Sequence, residues 1–251
     1  MVHAAKASHI GTCLSMADLL AVLYARWLRV DPARPGDPLR DRFILSKGHG
    51  AAILYAVLAE RGFFPLEDLA TYCRDGSKLT GHVSHGVAGI ELSTGSLGHG
   101  PSVAAGMALA AKRAGNGARV VCLVSDGEMD EGSNWEAVLF APHLQLGNLV
   151  LIVDYNKIQS FGTVAEVMPL EPFADKFRAF RWDVREIDGH DHDAIWAALE
   201  ASKETPNVPT VILAHTVKGK GVSFMEDQLR WHYSSPNDEQ LSEALAEIGV
   251  A

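Results

Sequence analysis

Two oxygen-bearing side chains open the reading: Asp126 in Ser125-Asp126-Gly127-Glu128, and Asn156, thirty positions later, in Asp154-Tyr155-Asn156-Lys157-Ile158. The apolar run 119–124 reads as a buried strand that ends at Asp126, and 148–153 reads as the next, ending near Asn156. A helical pattern from 131 to about 144 lies between them. This strand–helix–strand unit carries an oxygen ligand past each strand's carboxyl end, the edge where open α/β sheets bind ligands. A carboxylate, a side-chain amide and a nearby backbone carbonyl suit a hard cation that fills its octahedron with phosphate oxygens and water. The chemistry is that of a metal–diphosphate site. Asp and Asn are also ordinary turn residues after strands, and spacing alone leaves both readings open.

Five histidines stand in polar or Gly-rich surroundings: His9, His49, His82, His99 and His232. A lone histidine is more often structural than catalytic. A group of them can donate to a sugar hydroxyl, accept its proton or donate to an oxyanion near neutral pH. Gly95-Ser96-Leu97-Gly98-His99-Gly100 has a superficial likeness to a dinucleotide fingerprint, but no strong strand precedes it and the expected acidic residue is missing. Its small residues instead let backbone approach an aromatic ring and a diphosphate. Glu131 and Glu136 read as exposed helix carboxylates whose spacing makes a poor helical pair. His215, Lys218 and Lys220 follow the last predicted strand, either as a solvated basic loop or as a rim over a phosphate group, with His215 the favoured contact.

The elements that must position these groups alternate. Helical spacing covers 16–28, 50–61, 66–72, 98–114, 131–144, 173–180, 191–201 and 239–248, and strands are expected at 43–45, 119–124, 148–153, 182–186 and 208–214. Such alternation predicts an α/β fold, a largely parallel central sheet with helices on both faces. Residues 75–94 form a long polar loop, of a kind usually functional or disordered. A length of 251 residues with 47% hydrophobic content fits one domain spanning 1–251. The net charge of −9 argues against nucleic acid or an anionic membrane surface as partner, without excluding a phosphate ligand. No apolar stretch approaches the roughly 20 residues of a membrane span, and no signal-peptide region opens the chain. Cys13, Cys73 and Cys122 lack metal-type spacing, and their odd number fits reduced thiols in the cytoplasm.

The segment SDGEMDEGSNWEAVLFAPHLQLGNLVLIVDYNKIQ resembles the thiamine-diphosphate motif of GDG followed about two dozen residues later by N. More specifically it resembles the transketolase branch, GDG-x-x-x-E-G-x-x-x-E-A. LSKGHG at 45–50, TGSLGHG at 94–100 and AHTVKGKGVSFMED at 214–227 extend the likeness over nearly the whole chain. The resemblance implies the diphosphate-binding, N-terminal subunit of a split transketolase. Its cofactors would be thiamine diphosphate and Mg²⁺, with Ca²⁺ or Mn²⁺ as substitutes. It implies metal ligation by Asp126, Asn156 and the Ile158 carbonyl, and a substrate channel lined by His9, His49, His82 and His232. Cofactor contacts would come from His49, Gly95, Ser96, Leu97, Asp126, Gly127, Glu128, Glu131, Asn156, Ile158 and His215, with Leu97 packed on the aminopyrimidine. Glu131 and Glu136 would join a hydrogen-bond network between two cofactor sites. The partner would be a C-terminal subunit carrying the pyrimidine-binding domain, in an α2β2 heterotetramer that acts on sugars or sugar phosphates.

Four motifs depart from the family pattern: Ser125 stands for the first Gly, Ser8-His9-Ile10 for Gly-His-Pro, His82-Val83-Ser84 for His-Pro-Glu, and His232-Tyr233 for His-Gly. The segment before His9 is shorter than in relatives. Another thiamine-diphosphate carboligase, or a non-catalytic scaffold of the same fold, remains open.

Overall fold

In a computed structural model, which describes residues 1–249, the apolar runs form one sheet of five strands. They are β1 (Arg42–Leu45), β2 (Val120–Ser125), β3 (Leu149–Tyr155), β4 (Asp183–Asp188) and β5 (Thr210–His215), in the order β1-β2-β3-β5-β4, every neighbouring pair parallel. Parallel pairing needs a crossover after each strand, and helices supply it. In chain order the helices are α1 (Val2–Ala5), α2 (Ile10–Ser15), α3 (Ala17–Val22), α4 (Ala51–Glu60), α5 (Gly100–Ala114), α6 (Gly132–His143), α7 (Val164–Val167), α8 (Phe173–Ala179), α9 (His192–Ala201) and α10 (Asp238–Glu247).

Successive strand residues point to opposite faces, and both faces are covered. Val121, Leu123, Val150, Ile152 and Ile212 pack with Leu19 and Leu20 of α3, Tyr55 of α4 and Leu199 of α9. Cys122, Val124, Leu151, Val153 and Leu213 pack with Ala104 and Ala108 of α5, Val138 of α6, and Phe173 and Phe177 of α8. Double burial explains why β1, β2, β3 and β5 read as unbroken apolar runs, whereas β4, at a sheet edge, carries charged residues among its apolar ones and has no buried residue. Among the described residues no helix is long and apolar enough to cross a membrane.

Three expectations change. The single helix over 16–28 is instead α3 followed by a π-helical turn at Leu23–Trp27, and α2 precedes it across a break at Met16. The segment at 66–72 is a 3₁₀ helix, Leu66–Thr71, with no buried residue. Without an apolar face in the core, nothing stabilises a longer α-helix there. Residues 75–94 form neither helix nor strand, yet definite bonds hold them. Val83 donates from its N–H to the Gly48 carbonyl (3.2 Å), Thr94 from its N–H to the Val83 carbonyl (3.3 Å), and the Thr94 hydroxyl to the Leu45 carbonyl (2.7 Å). Leu79, Val83 and Val87 are buried beneath this loop.

Gly48 lets that loop lie on the end of β1. A Cβ at Gly48 would stand 2.4 Å from the Thr94 carbonyl oxygen, against backbone that cannot swing away. Gly48→Ala should therefore destabilise the protein by about 1–3 kcal/mol, the usual cost of overpacking. Equilibrium urea unfolding would measure it as a lower midpoint.

Candidate active site

The parallel register sets β2, β3 and β5 side by side, pairing Ser125 with Asp154 and Tyr155 with His215. Asp126 and Asn156 are therefore the first residues beyond two adjacent strands. Both open onto a cavity of ≈ 170 Å³, lined also by His9, His49, His82 and His232, by Gly95 and Leu97, by Gly127 and Ile158, and by Thr12, Ser125, Gln159, Ser160 and Lys218. A larger depression of ≈ 580 Å³ beside residues 64–88 contains Asp68, Arg74 and Lys78 but none of the histidines. The smaller cavity is the candidate site because the reactive groups converge there.

One end suits a cation. The Asp126 carboxylate is 1% exposed and accepts from the N–H groups of Gly127 (2.7 Å) and Lys157 (2.6 Å). Burial, with Asp154 nearby, pushes its pKa up to about 6. A cation beside it would favour the ionised form. The Asn156 amide oxygen accepts from the Ile158 N–H (3.1 Å), and the Lys218 ammonium donates to the Ile158 carbonyl (3.1 Å). Among the described residues no group of three or more His, Cys, Asp or Glu is placed to hold a metal. The donors present fit a hard cation that draws its remaining ligands from a phosphate group, and do not fit a closed protein cage.

Imidazoles form the other wall. The His9 ring centroid lies 5.0 Å from His49, 6.0 Å from His82 and 5.1 Å from His232. His9 adopts φ +75°, a left-handed conformation uncommon outside glycine, and its N–H donates to the His232 carbonyl (3.1 Å). His232 Nδ1 accepts from Lys218 (3.1 Å), which puts the proton of a neutral ring on Nε2. Burial, with His82 and Lys218 adding to it, lowers the His9 pKa to about 4. Burial and Lys218 bring His232 to about 3, and burial with Lys47 holds His49 well below the usual value. These three rings are neutral at neutral pH and can accept protons. Burial also lowers the Lys218 pKa to about 8.

Gly95 and Gly98 fit the turn between these walls. A Cβ on Gly95 would stand 3.1 Å from the His82 ring, and Gly98 has φ +87° with Glu131 and Ser133 against it. Ser125 has no positive φ, so its departure from glycine carries no strain, and its hydroxyl accepts from the Glu128 N–H (3.1 Å).

Four expected cofactor contacts lie off the cavity. Glu128 is buried beneath the turn, its Oε1 accepting from the Gly98 N–H (2.9 Å) and the Ser46 hydroxyl, while its buried Oε2 has no partner. Glu131 is exposed, just before α6, and Ser96 is exposed on the turn. His215 ends β5 with its ring against Tyr155 (5.4 Å) and its Nε2 3.7 Å from Glu186. The residue from that loop which does enter the cavity is Lys218. The sequence left it open between a solvated loop and a rim over a phosphate group, and it is 2% exposed.

A polar cluster beneath the metal end went unread in the sequence. Lys47 and Asp154, both 0% exposed in their side chains, form an ion pair. Lys47 also donates to the Thr12 hydroxyl (2.8 Å), while Asp154 accepts from Ser15 (2.6 Å) and Thr216. Their only signal was position: Lys47 adjoins the Gly48-His49 motif, and Asp154 lies in an otherwise apolar strand.

The family model for the transketolase thiamine diphosphate-binding domain matches residues 1–251. The chain is 46% identical over 241 residues to a 6-deoxy-6-sulfo-D-fructose transketolase subunit of Clostridium sp., covering 96% of this chain and 88% of that one. It is 43% identical over 248 residues to an apulose-4-phosphate transketolase subunit of Phocaeicola vulgatus, covering 99% and 88%. The crystal structure of a Campylobacter jejuni transketolase superposes with a TM-score of 0.93 at 34% identity, covering 99% of this chain and 40% of that longer one.

The neutral imidazoles carry a pH dependence. A histidine whose folded pKa lies below its unfolded value binds more protons when unfolded. Its contribution to stability is complete above about pH 6.5 and is lost as pH falls toward about 4 for His9. Asn tolerates the left-handed φ at position 9. His9→Asn should therefore lose less stability than the wild type between pH 6.5 and 4, measured by urea unfolding across that range. Equal slopes would contradict the assignment of a neutral, desolvated His9.

Proposed function

We propose that this chain, which belongs to the family of transketolase thiamine diphosphate-binding domains, is the diphosphate-binding subunit of a two-subunit transketolase. In this reading residues 1–251 form one domain, and a partner chain supplies the pyrimidine-binding and C-terminal domains. Together they move a two-carbon ketol unit from a ketose donor to an aldose acceptor, as sugars or sugar phosphates. The observation that carries the proposal is one cavity with hard-cation donors at one end and four imidazoles at the other.

Mg²⁺, or Ca²⁺ or Mn²⁺ in its place, would be held by Asp126, Asn156 and the Ile158 carbonyl. When bound, thiamine diphosphate supplies the carbon nucleophile that takes up and hands on the two-carbon unit. The protein residues do the rest. Asp126 and Asn156 anchor the metal, and the Lys218 ammonium adds positive charge beside it. Gly95 and Leu97 give an aromatic ring a close backbone and an apolar surface. His9, His49, His82 and His232 hold or accept protons at substrate hydroxyls.

Exposure on α6 supports a partner chain. Leu139 is 61% exposed and Phe140 43%, on the helix that begins beside Glu131 and carries Glu136. An α2β2 arrangement, closed about a two-fold axis, would bury that surface and bring the two glutamates to a shared interface. The free thiols of Cys13, Cys73 and Cys122 support a cytoplasmic setting.

Two experiments test the reading. The purified chain should show no ketol transfer alone and gain it when mixed with its pyrimidine-domain partner. Asp126→Ala should abolish that gain by removing the charged metal ligand. Turnover by rigorously partner-free protein would refute the split-site assignment. In the assembled enzyme, His82→Ala and His232→Ala should each lower kcat by about 10²–10⁴-fold, as loss of a general acid–base group does. Cofactor binding should change little. A raised KM at unchanged kcat would instead mark these rings as ground-state contacts.

A further inference from the structure

The buried ion pair has no place in the chemistry above, yet it leads by hydrogen bonds to a proposed metal ligand. Asp154, paired with Lys47, accepts from Ser15 through Oδ1 (2.6 Å). Ser15 Oγ in turn lies 3.1 Å from the Asn156 side-chain nitrogen. The polarity of this chain of groups is forced. An ionised carboxylate only accepts, and a hydroxyl has one proton to give. With that proton committed to Asp154, Ser15 can only accept from Asn156. The amide nitrogen must then face Ser15, leaving the amide oxygen on the opposite side, where the Ile158 N–H bonds it at 3.1 Å. That is the side on which the cavity opens.

We infer that Ser15 and Asp154, with Lys47 paired to Asp154, are positioning residues that fix Asn156 with its oxygen toward the metal. An amide free to flip would present its NH₂ group, which cannot ligate a cation. Thr216 supplies an internal control. It too donates to Asp154 and lies 3.2 Å from Ser15 Oγ, but it makes no hydrogen bond to Asn156 itself. A purely structural cluster would treat Ser15 and Thr216 alike.

The inference rests on the proposed metal site, and the experiment separates the two. Thiamine diphosphate binding to the assembled enzyme would be measured by calorimetry across a Mg²⁺ titration, with thermal melts of the unliganded variants to confirm folding. Ser15→Ala should weaken the apparent Mg²⁺ affinity by about 10–100-fold, the usual consequence of losing a group that orients a ligand. Asp154→Asn should do the same, because a carboxamide can donate and so releases the fixed polarity. Thr216→Val should leave Mg²⁺ affinity within about twofold of the wild type. Equal losses in Ser15→Ala and Thr216→Val, or no loss in Ser15→Ala, would overturn the inference. Absence of metal-dependent binding in the wild type would instead sink the metal-site reading beneath it.

Discussion

The Lys47–Asp154 pair ties together the ligand-binding edge of the sheet. Lys47 follows β1, Asp154 lies in β3, Thr12 and Ser15 come from α2, and Thr216 follows β5. Neither charge has access to water. Stranding one such ion by removing its partner costs about 3–5 kcal/mol, so the edge holds one geometry or loses much of its stability. The same two charges act outward with opposite sign. Asp154 helps to raise the pKa of Asp126, and Lys47 helps to lower that of His49. One buried pair thus favours a cation at one end of the cavity and a neutral base at the other.

Desolvation comes first among the causes for His9, His49 and His232, and nearby cations reinforce it. Burial is what keeps these rings neutral. Lys218 lies between the two ends, bonding both the Ile158 carbonyl and His232 Nδ1. It links the loop that carries the proposed metal ligand to the wall that handles protons. A shift of this lysine would be felt at both.

The inner strands β2, β3 and β5 were legible because both faces of the sheet are buried there, so apolar runs marked them, while the edge strand β4 carries charged residues among its apolar ones. Asp126, Asn156 and the histidines were legible because they stand at strand ends or in Gly-rich turns, where motif and position coincide. Lys218 was legible only in part. Its loop read either as solvated or as a rim over a phosphate group, and the tertiary approach of α2, with Gly11 close to the Lys218 stem, is what covers it. Glu128 is the opposite case, a motif residue that the structure buries. The motif that places Asp126 at the cavity also places Glu128, but the 3₁₀ turn Gly127–Asp130 rotates its carboxylate under the Gly98 peptide. The helix read from the sequence began at Met16, so α2 before it went unread, although α2 is what brings Ser15 beside Asp154.

The four departures from the family pattern divide by where their side chains end. Ile10 packs against the core, Val83 is 3% exposed, and Ser125 bonds its own turn. Each is absorbed by packing or by a local bond. Tyr233 is different. It is 56% exposed, its ring lies 4.7 Å from that of His232, and its hydroxyl donates to the Ser160 carbonyl (2.9 Å). His232 and Ser160 both line the cavity. The phenol therefore spans the rim from the histidine wall to the loop after Asn156, where a glycine would leave an opening. Of these departures, Tyr233 is the one whose side chain reaches across the rim to the histidine wall.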